Sequence, residues 1–291
     1  MAQEYEHYYV PSQSAWPIVT ATGLGCFAIG LANIIHGKAY GSFFFVLSMI
    51  LIIGVLYAWF KDVIIESDQG LYSAQMDRTF RWGMFWFIFS EVMFFAAFFG
   101  ALFYCRELSV PWLGGDGAKD MTHALLWPEF KAAWPLLTTP DPTAYAPVKH
   151  AMSAWGLPAI NTLILLTSGA TLTWAHWGLK ENRRRQLNQG LLLTVILGAL
   201  FLTCQVYEYI HAYHELNLKL SSGVYGSTFF MLTGFHGLHV TIGTIMLATM
   251  LYRTLQGHFS PSRHFGFEAV AWYWHFVDVV WLLLFILVYW L

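Results

Sequence analysis

Seven stretches of this chain reach or approach the roughly 20 apolar residues that cross ~30 Å of hydrocarbon as a helix. They fall near residues 16–35, 42–60, 82–104, 155–177, 189–209, 224–252 and 267–290 and take up most of the 291-residue chain. A backbone in lipid must satisfy its own hydrogen bonds, so each stretch is expected to be a helix. The short alternating segments of a transmembrane β-barrel are missing from the sequence. Only 11% of residues are charged, against about 25% in a soluble domain. That density does not cover a water-facing surface of this size. Aromatics make up 18%, with 14 Trp, a side chain that favours membrane interfaces. The expected fold class is therefore all-α, a polytopic membrane protein with seven transmembrane helices.

Charge placement suggests an orientation. With the N-terminus inside, the inner segments carry Lys61, Arg78, Arg81, Lys180, Arg183, Arg184, Arg185, Arg253 and Arg263. The short outer links carry only Lys38 and Lys219, and the long one dilutes Arg106, Lys119, Lys131 and Lys149. The excess of basic residues favours N-inside and C-outside. The N-terminal segment, residues 1–15, is polar, and its first ten residues lack Lys and Arg, so a cleavable signal peptide is not expected. Residues 105–154, rich in Pro and Gly, read as a long outer loop that packs on a partner rather than as a domain. The turn HGKAYG makes an antiparallel hairpin of the first two spans, residues 16–60. A polar inner link, 61–81, then leads to a five-helix group, 82–291, which suggests a two-plus-five division. Cys26, Cys105 and Cys204 match neither a disulfide framework nor a zinc spacing. The net charge of −2 gives no reason to expect nucleic acid.

Polar groups inside the spans are the candidates for chemistry. Glu91 is the one Asp, Glu, Lys, Arg or His between Arg81 and Arg106, and at 1.5 Å per residue it lies about 15 Å from Arg81. A carboxylate at that depth is costly, which favours a neutral, protonated acid. It is either a proton-handling acid or a hydrogen-bonded packing element. His236 and His239, three apart, lie on one helical face, as do His211 and His214 after Glu208. A carboxylate-bridged iron site needs two E-x-x-H motifs and two further Glu, and the chain has one such motif. Hydrogen bonding between helices is the favoured role of these histidines over metal or haem. His275 and Asp278 form another i, i+3 pair, suited to mutual pairing in the bilayer. At the inner helix ends, Glu66, Arg253, His258 and His264, with Trp59, form either a phospholipid headgroup site or ordinary solvated charges. An autonomous proton-linked transporter around Glu91 and a metal-dependent membrane enzyme remain alternatives at this point.

Longer motifs narrow the choice. SSGVYGSTFFMLTGFHGLHVTIGT, HFGFEAVAWYWHFVDVVWLLLF, RWGMFWFIFSEVMFFAAFF, LPAINTLILLTSGATLTWAHWGL and WFKDVIIES resemble segments of cytochrome c oxidase subunit III. The likeness covers nearly all of the chain from the second span onward and is weaker in the first span and the long loop. Quinol oxidase relatives typically lack the first two spans, so seven favour the cytochrome c type. The resemblance implies a V-shaped bundle split two-plus-five, with phospholipid in the cleft. It implies a non-catalytic subunit of an aa3-type oxidase, whose haem and copper belong to partner subunits, in a bacterial plasma membrane or a mitochondrial inner membrane. Subunit I would be the main contact, with subunit II and small accessory subunits beyond it, and cytochrome c the substrate of the complex. The chain would stabilise subunit I and support proton uptake. Carried over by residue, Glu91 falls on the family's intramembrane acid, and lipid contacts fall on Trp59, Phe60, Lys61, Glu66, Arg253, His258 and His264. His236, His239, His275 and Asp278 are then structural, and no residue is catalytic or a metal ligand. Gln256 stands where relatives can carry Lys, which touches the choice of headgroup.

Overall fold

A computed structural model describes residues 9–141, 143–145 and 147–291. Residues 1–8 of the polar N-terminal segment, and Pro142 and Ala146 of the long loop, lie outside the described residues. Among the described residues the chain is helical, and seven helices are long and apolar enough to cross a membrane. The elements are α1 (Trp16–Ile35), α2 (Tyr40–Asp68), α3 (Ala74–Phe103), α4 (Val110–Leu113), α5 (Asp120–Leu126), α6 (Leu157–Lys180), α7 (Arg184–His214), α8 (Val224–Leu255) and α9 (Phe265–Leu284).

Several helices run further than their apolar cores. Helix α2 continues to Asp68 and α3 begins at Ala74, leaving residues 69–73 as the non-helical link. No Pro or Gly interrupts residues 61–68, so the helix persists where its apolar character stops. It ends at Gly70, whose φ of +73° closes a Schellman turn: Gly70 N–H donates to Ser67 O and Leu71 N–H to Glu66 O. Gly37, φ +67°, ends α1 in the same way. Helix α3 passes Tyr104, its expected end, through a π-helical turn at Tyr104–Ser109 into α4. Pro111 has no N–H to give to the preceding turn, and a widened turn accommodates it.

The chain divides into two compact units, residues 1–82 and 83–291. In the first, α1 and α2 form a tight hairpin built on small residues. A Cβ added at Gly30 would sit 2.5 Å from the Phe45 amide nitrogen, and one at Gly41 would sit 2.6 Å from that of Ile34. Small residues let apolar helices approach to backbone contact. Trp16 Nε1 donates to Asp62 Oδ2 at 2.8 Å and ties the two ends of the hairpin.

In the second unit α6 pairs with α7, α7 with α8 and α8 with α9, and α9 returns to α6. Trp274 and Trp281 of α9 are fully enclosed, and both indole N–H groups donate to α6 hydroxyls at 2.9 Å, Ser168 and Thr162 respectively. The long loop folds back on this unit. Val148, Met152 and Ala154 are buried, Lys149 N–H donates to Leu216 O, and Met152 N–H donates to the Tyr225 hydroxyl at 3.2 Å. These residues find cover within their own chain, whereas Met121, Leu125 and Leu126 of the same loop are exposed.

Candidate functional site: an acid–imidazole pair

Helix α3 carries Glu91 and α8 carries His239. Their side chains meet at 2.9 Å, Glu91 Oε2 to His239 Nε2. The other ring nitrogen, Nδ1, lies 2.6 Å from the Phe235 carbonyl one turn back on α8. A carbonyl only accepts, so Nδ1 carries a hydrogen. A neutral imidazole then has a bare Nε2, and the hydrogen bond needs a proton on Glu91. In the alternative form, imidazolium faces carboxylate. Both forms hold one proton between the two residues and leave the pair neutral, which suits an apolar setting.

That setting is aromatic. Phe95 is buried, with its ring 5.0 Å from the His239 ring, and Phe94 lies at 5.9 Å. Tyr273 of α9 stacks on His239 at 6.3 Å and reaches the His239 carbonyl at 3.4 Å. The Glu91 side chain keeps 22% of its surface exposed and that of His239 11%. Phe235 and Tyr273 escaped the sequence reading. The pairing itself left a trace there: Glu91 is the lone acid of its span, and His236 and His239 are the titratable groups with which α8 faces its neighbours at mid-length.

The two histidines of α8 do not share a partner. His236 is fully buried, and its Nε2 donates to the Val277 carbonyl of α9 at 3.2 Å, with the Trp281 ring 5.0 Å away. His236 therefore ties α8 to α9, and His239 ties α8 to α3. His275 Nδ1 lies 3.4 Å from Asp278 Oδ2, and its Nε2 lies 3.4 Å from Thr173 Oγ1 of α6. His211 and His214 are exposed. No group of three or more His, Cys, Asp or Glu side chains among the described residues is arranged to hold a metal ion.

The residues expected to meet lipid fall in both units. In the first, Trp59 and Phe60 are exposed, 42% and 62%, with Lys61 beside them. Glu66 accepts from the phenols of Tyr9, at 3.0 Å, and Tyr72, at 2.6 Å. Burial, and then this hydrogen bond and the Glu66 charge, push the Tyr72 phenol well above its ordinary range. In the second unit Arg253 is buried, with its guanidinium 4.6 Å from the Phe259 ring centre. His258 is exposed, and His264 Nδ1 lies 3.2 Å from the Ser260 carbonyl. Arg184 donates to the Phe259 carbonyl in the same turn.

These features define a multi-pass helical membrane protein with an internal acid–imidazole pair. Residues 6–116 and 121–291 match the family Cytochrome c oxidase subunit III. Cytochrome c oxidase subunit 3 of Formosania lacustris is 40% identical over 291 residues, covering 100% of this chain and 99% of the relative. The Drosophila melanogaster protein of the same name is 42% identical over 284 residues, 97% of this chain and 96% of the relative. That of Dugong dugon is 39% identical over 291 residues, 100% and 99%. The chain belongs to the cytochrome c oxidase subunit III family and is a membrane subunit of that respiratory complex.

Proposed function

We propose that the chain is a non-catalytic support subunit, with Glu91 and His239 forming its proton-related site and electron chemistry residing in its companions. The observation that carries this reading is the 2.9 Å contact between Glu91 Oε2 and His239 Nε2. The Phe235 carbonyl fixes the hydrogen on Nδ1, so one further proton is held between Glu91 Oε2 and His239 Nε2. The reading assigns packing roles to His236, His275 and Asp278 and no metal ligand to this chain. Subunit I is its main neighbour, with subunit II and small accessory subunits next, and cytochrome c is the substrate of the complex. Stabilising subunit I and supporting proton uptake are its contributions. The membrane is a bacterial plasma membrane or a mitochondrial inner membrane, and the basic residues support an N-terminus on the inner side.

Phospholipid is the proposed ligand. Trp59, Phe60, Lys61, Glu66, Arg253, His258 and His264 are the residues proposed to contact phospholipid. The exposed aromatic surface at Trp59 and Phe60 supports this. The compact units 1–82 and 83–291 are in keeping with a two-plus-five division, with residues 16–60 as the pair and 82–291 as the five.

The pair is tested in the intact oxidase with a hydrophobic carbodiimide, which reacts with protonated acids in apolar surroundings. Selective modification of Glu91 among the spans is expected, and Glu91→Gln should leave oxygen reduction largely intact. A Glu91→Gln oxidase that keeps its metal centres but no longer reduces oxygen would overturn the assignment. For the lipid site, Arg253→Ala should lower the phospholipid retained by the purified complex, and unchanged retention counts against it.

A further inference from the structure

A second acid lies within the five-helix unit, away from Glu91. Glu208, in the last two turns of α7, is 2% exposed. Its Oε1 accepts from the Tyr289 hydroxyl at 2.6 Å and from the Gln205 amide at a longer 3.4 Å. Three buried oxygens of this region have no hydrogen-bond partner among the described residues: Glu208 Oε2, Gln205 Oε1 and Asn161 Oδ1. Asn161 comes from α6, and its amide donates to the Phe201 carbonyl at 3.3 Å. That carbonyl is the one an α-helix directs at residue 205, four positions on. The Asn161 carboxamide therefore meets α7 at the Phe201 carbonyl, one turn before Gln205.

Donor counting constrains the protonation state. Ionised, Glu208 would be a third acceptor beside two carboxamide oxygens, and none of the three would have a donor. The sequence between Arg185 and Lys219 contains no Lys or Arg, and His211 and His214, the nearest basic side chains of α7, are exposed. A buried acceptor left without a donor is costly, and more so when it is charged. A proton on Oε2 turns that oxygen into a donor. A single water can then accept from Oε2–H and donate one hydrogen each to Gln205 Oε1 and Asn161 Oδ1. One proton and one water satisfy all three oxygens, with the roughly three hydrogen bonds usual for buried water.

We propose that Glu208 is a second proton-holding site of this chain, kept as a neutral acid and bridged by one buried water to Gln205 and Asn161. Proton and water together join α6, α7 and the C-terminal turn that carries Tyr289. This site is separate from Glu91–His239 and does not depend on the role proposed for that pair.

Infrared spectroscopy of the intact oxidase tests the proton. Glu208→Gln should lose a protonated-carboxyl band that shifts in D2O in the native complex. Tyr289→Phe should keep that band and move it to higher frequency, because the phenol no longer draws on the carbonyl. A density map of the native complex that resolves other internal waters tests the second half, with a peak expected within hydrogen-bond distance of Glu208, Gln205 and Asn161. An unchanged carboxyl region in both variants overturns the proposal. So does a map that shows no water there. Tyr289→Phe and the native map retain the acid, so the proposal stays refutable if Glu208→Gln does not assemble.

Discussion

The α1–α2 hairpin and the five-helix unit are both built from helices apolar enough to cross a membrane, yet they are held together differently. Only 11% of the apolar window of α1, and of α2, is buried, whereas α6, α7, α8 and α9 bury 39%, 33%, 44% and 56% of theirs; α3 stays at 11%. In the hairpin the backbones meet directly at Gly30 and Gly41, and large side chains such as Phe43 and Ile53 point outward. In the five-helix unit the interior is filled by Trp274, Trp281, Phe201 and Phe229, and the indole N–H groups of both tryptophans are satisfied by α6. Apolar character alone thus says that a helix enters the bilayer. Small residues on the one hand, and large side chains with a polar handle on the other, decide what it meets there.

The contrast is tested hardest at Trp281. Trp281→Ala should destabilise the five-helix unit by about 3–5 kcal/mol, the usual range for emptying a filled aromatic site. Phe43→Ala, at a residue 64% exposed in the hairpin, should fall within about 0.5 kcal/mol. Thermal unfolding of the complex, followed by release of this subunit, compares the two. Equal effects would show that the hairpin also relies on side-chain filling.

Gly30 comes next. An added methyl would press against the Phe45 amide and Cα, which are backbone and do not rotate away. Gly30→Ala should therefore cost ~1–3 kcal/mol through forced separation. At Gly25, where an added Cβ meets nothing within 4 Å, the same change should be close to neutral. Proteolysis at the short turn after α1 would report the difference, rising in Gly30→Ala and not in Gly25→Ala.

A smaller effect separates polar from apolar packing inside the larger unit. Thr162→Val keeps the shape of the side chain but removes the oxygen that accepts from Trp281 Nε1 at 2.9 Å. Hydrogen bonds between membrane helices average about 0.6 kcal/mol, with a maximum near 1.7. A shift in that range in the same unfolding assay is expected, well below that of Trp281→Ala. A shift as large as the tryptophan truncation would mean that the hydrogen bond, not the ring, holds α9 to α6.

The number and centres of the spans were legible because hydrocarbon thickness sets a length that sequence displays directly. The ends were not. Lys61 to Asp68 are rich in charge and Arg184 to Gln186 are polar, yet helical hydrogen bonds continue through them until a Gly turn or a short link intervenes. Glu91 stood out as a lone acid, but a helical period gives the face and not the neighbour, so its meeting with His239 was hidden. Spacing placed His236 and His239 on one face, and residues three apart still differ enough in direction to reach α9 and α3 respectively. Glu208 was read beside His211 in an E-x-x-H pattern, whereas its actual partners are Gln205 and a tyrosine 81 positions away. The long loop's Pro and Gly content masked Val148 and Met152, whose burial depends on surfaces assembled by α7 and α8.

The weakest expected effect concerns the polar edge of the hairpin unit, where Tyr72 donates to Glu66 at 2.6 Å. Burial first, then Glu66, raises the phenol above its ordinary value of 10.0. With the folded value raised, the contact's stabilising share is complete below the usual tyrosine range. It declines once the unfolded chain ionises, and is gone when pH passes the folded value. Phenolate absorbance of the native complex minus that of Tyr72→Phe should therefore contain one component that titrates at higher pH than the exposed tyrosines. The variant should also lose less stability than the native protein as pH climbs above about 10. A component that titrates with the exposed phenols would remove the Tyr72–Glu66 contact, and with it one of the polar features by which this unit resembles the larger one.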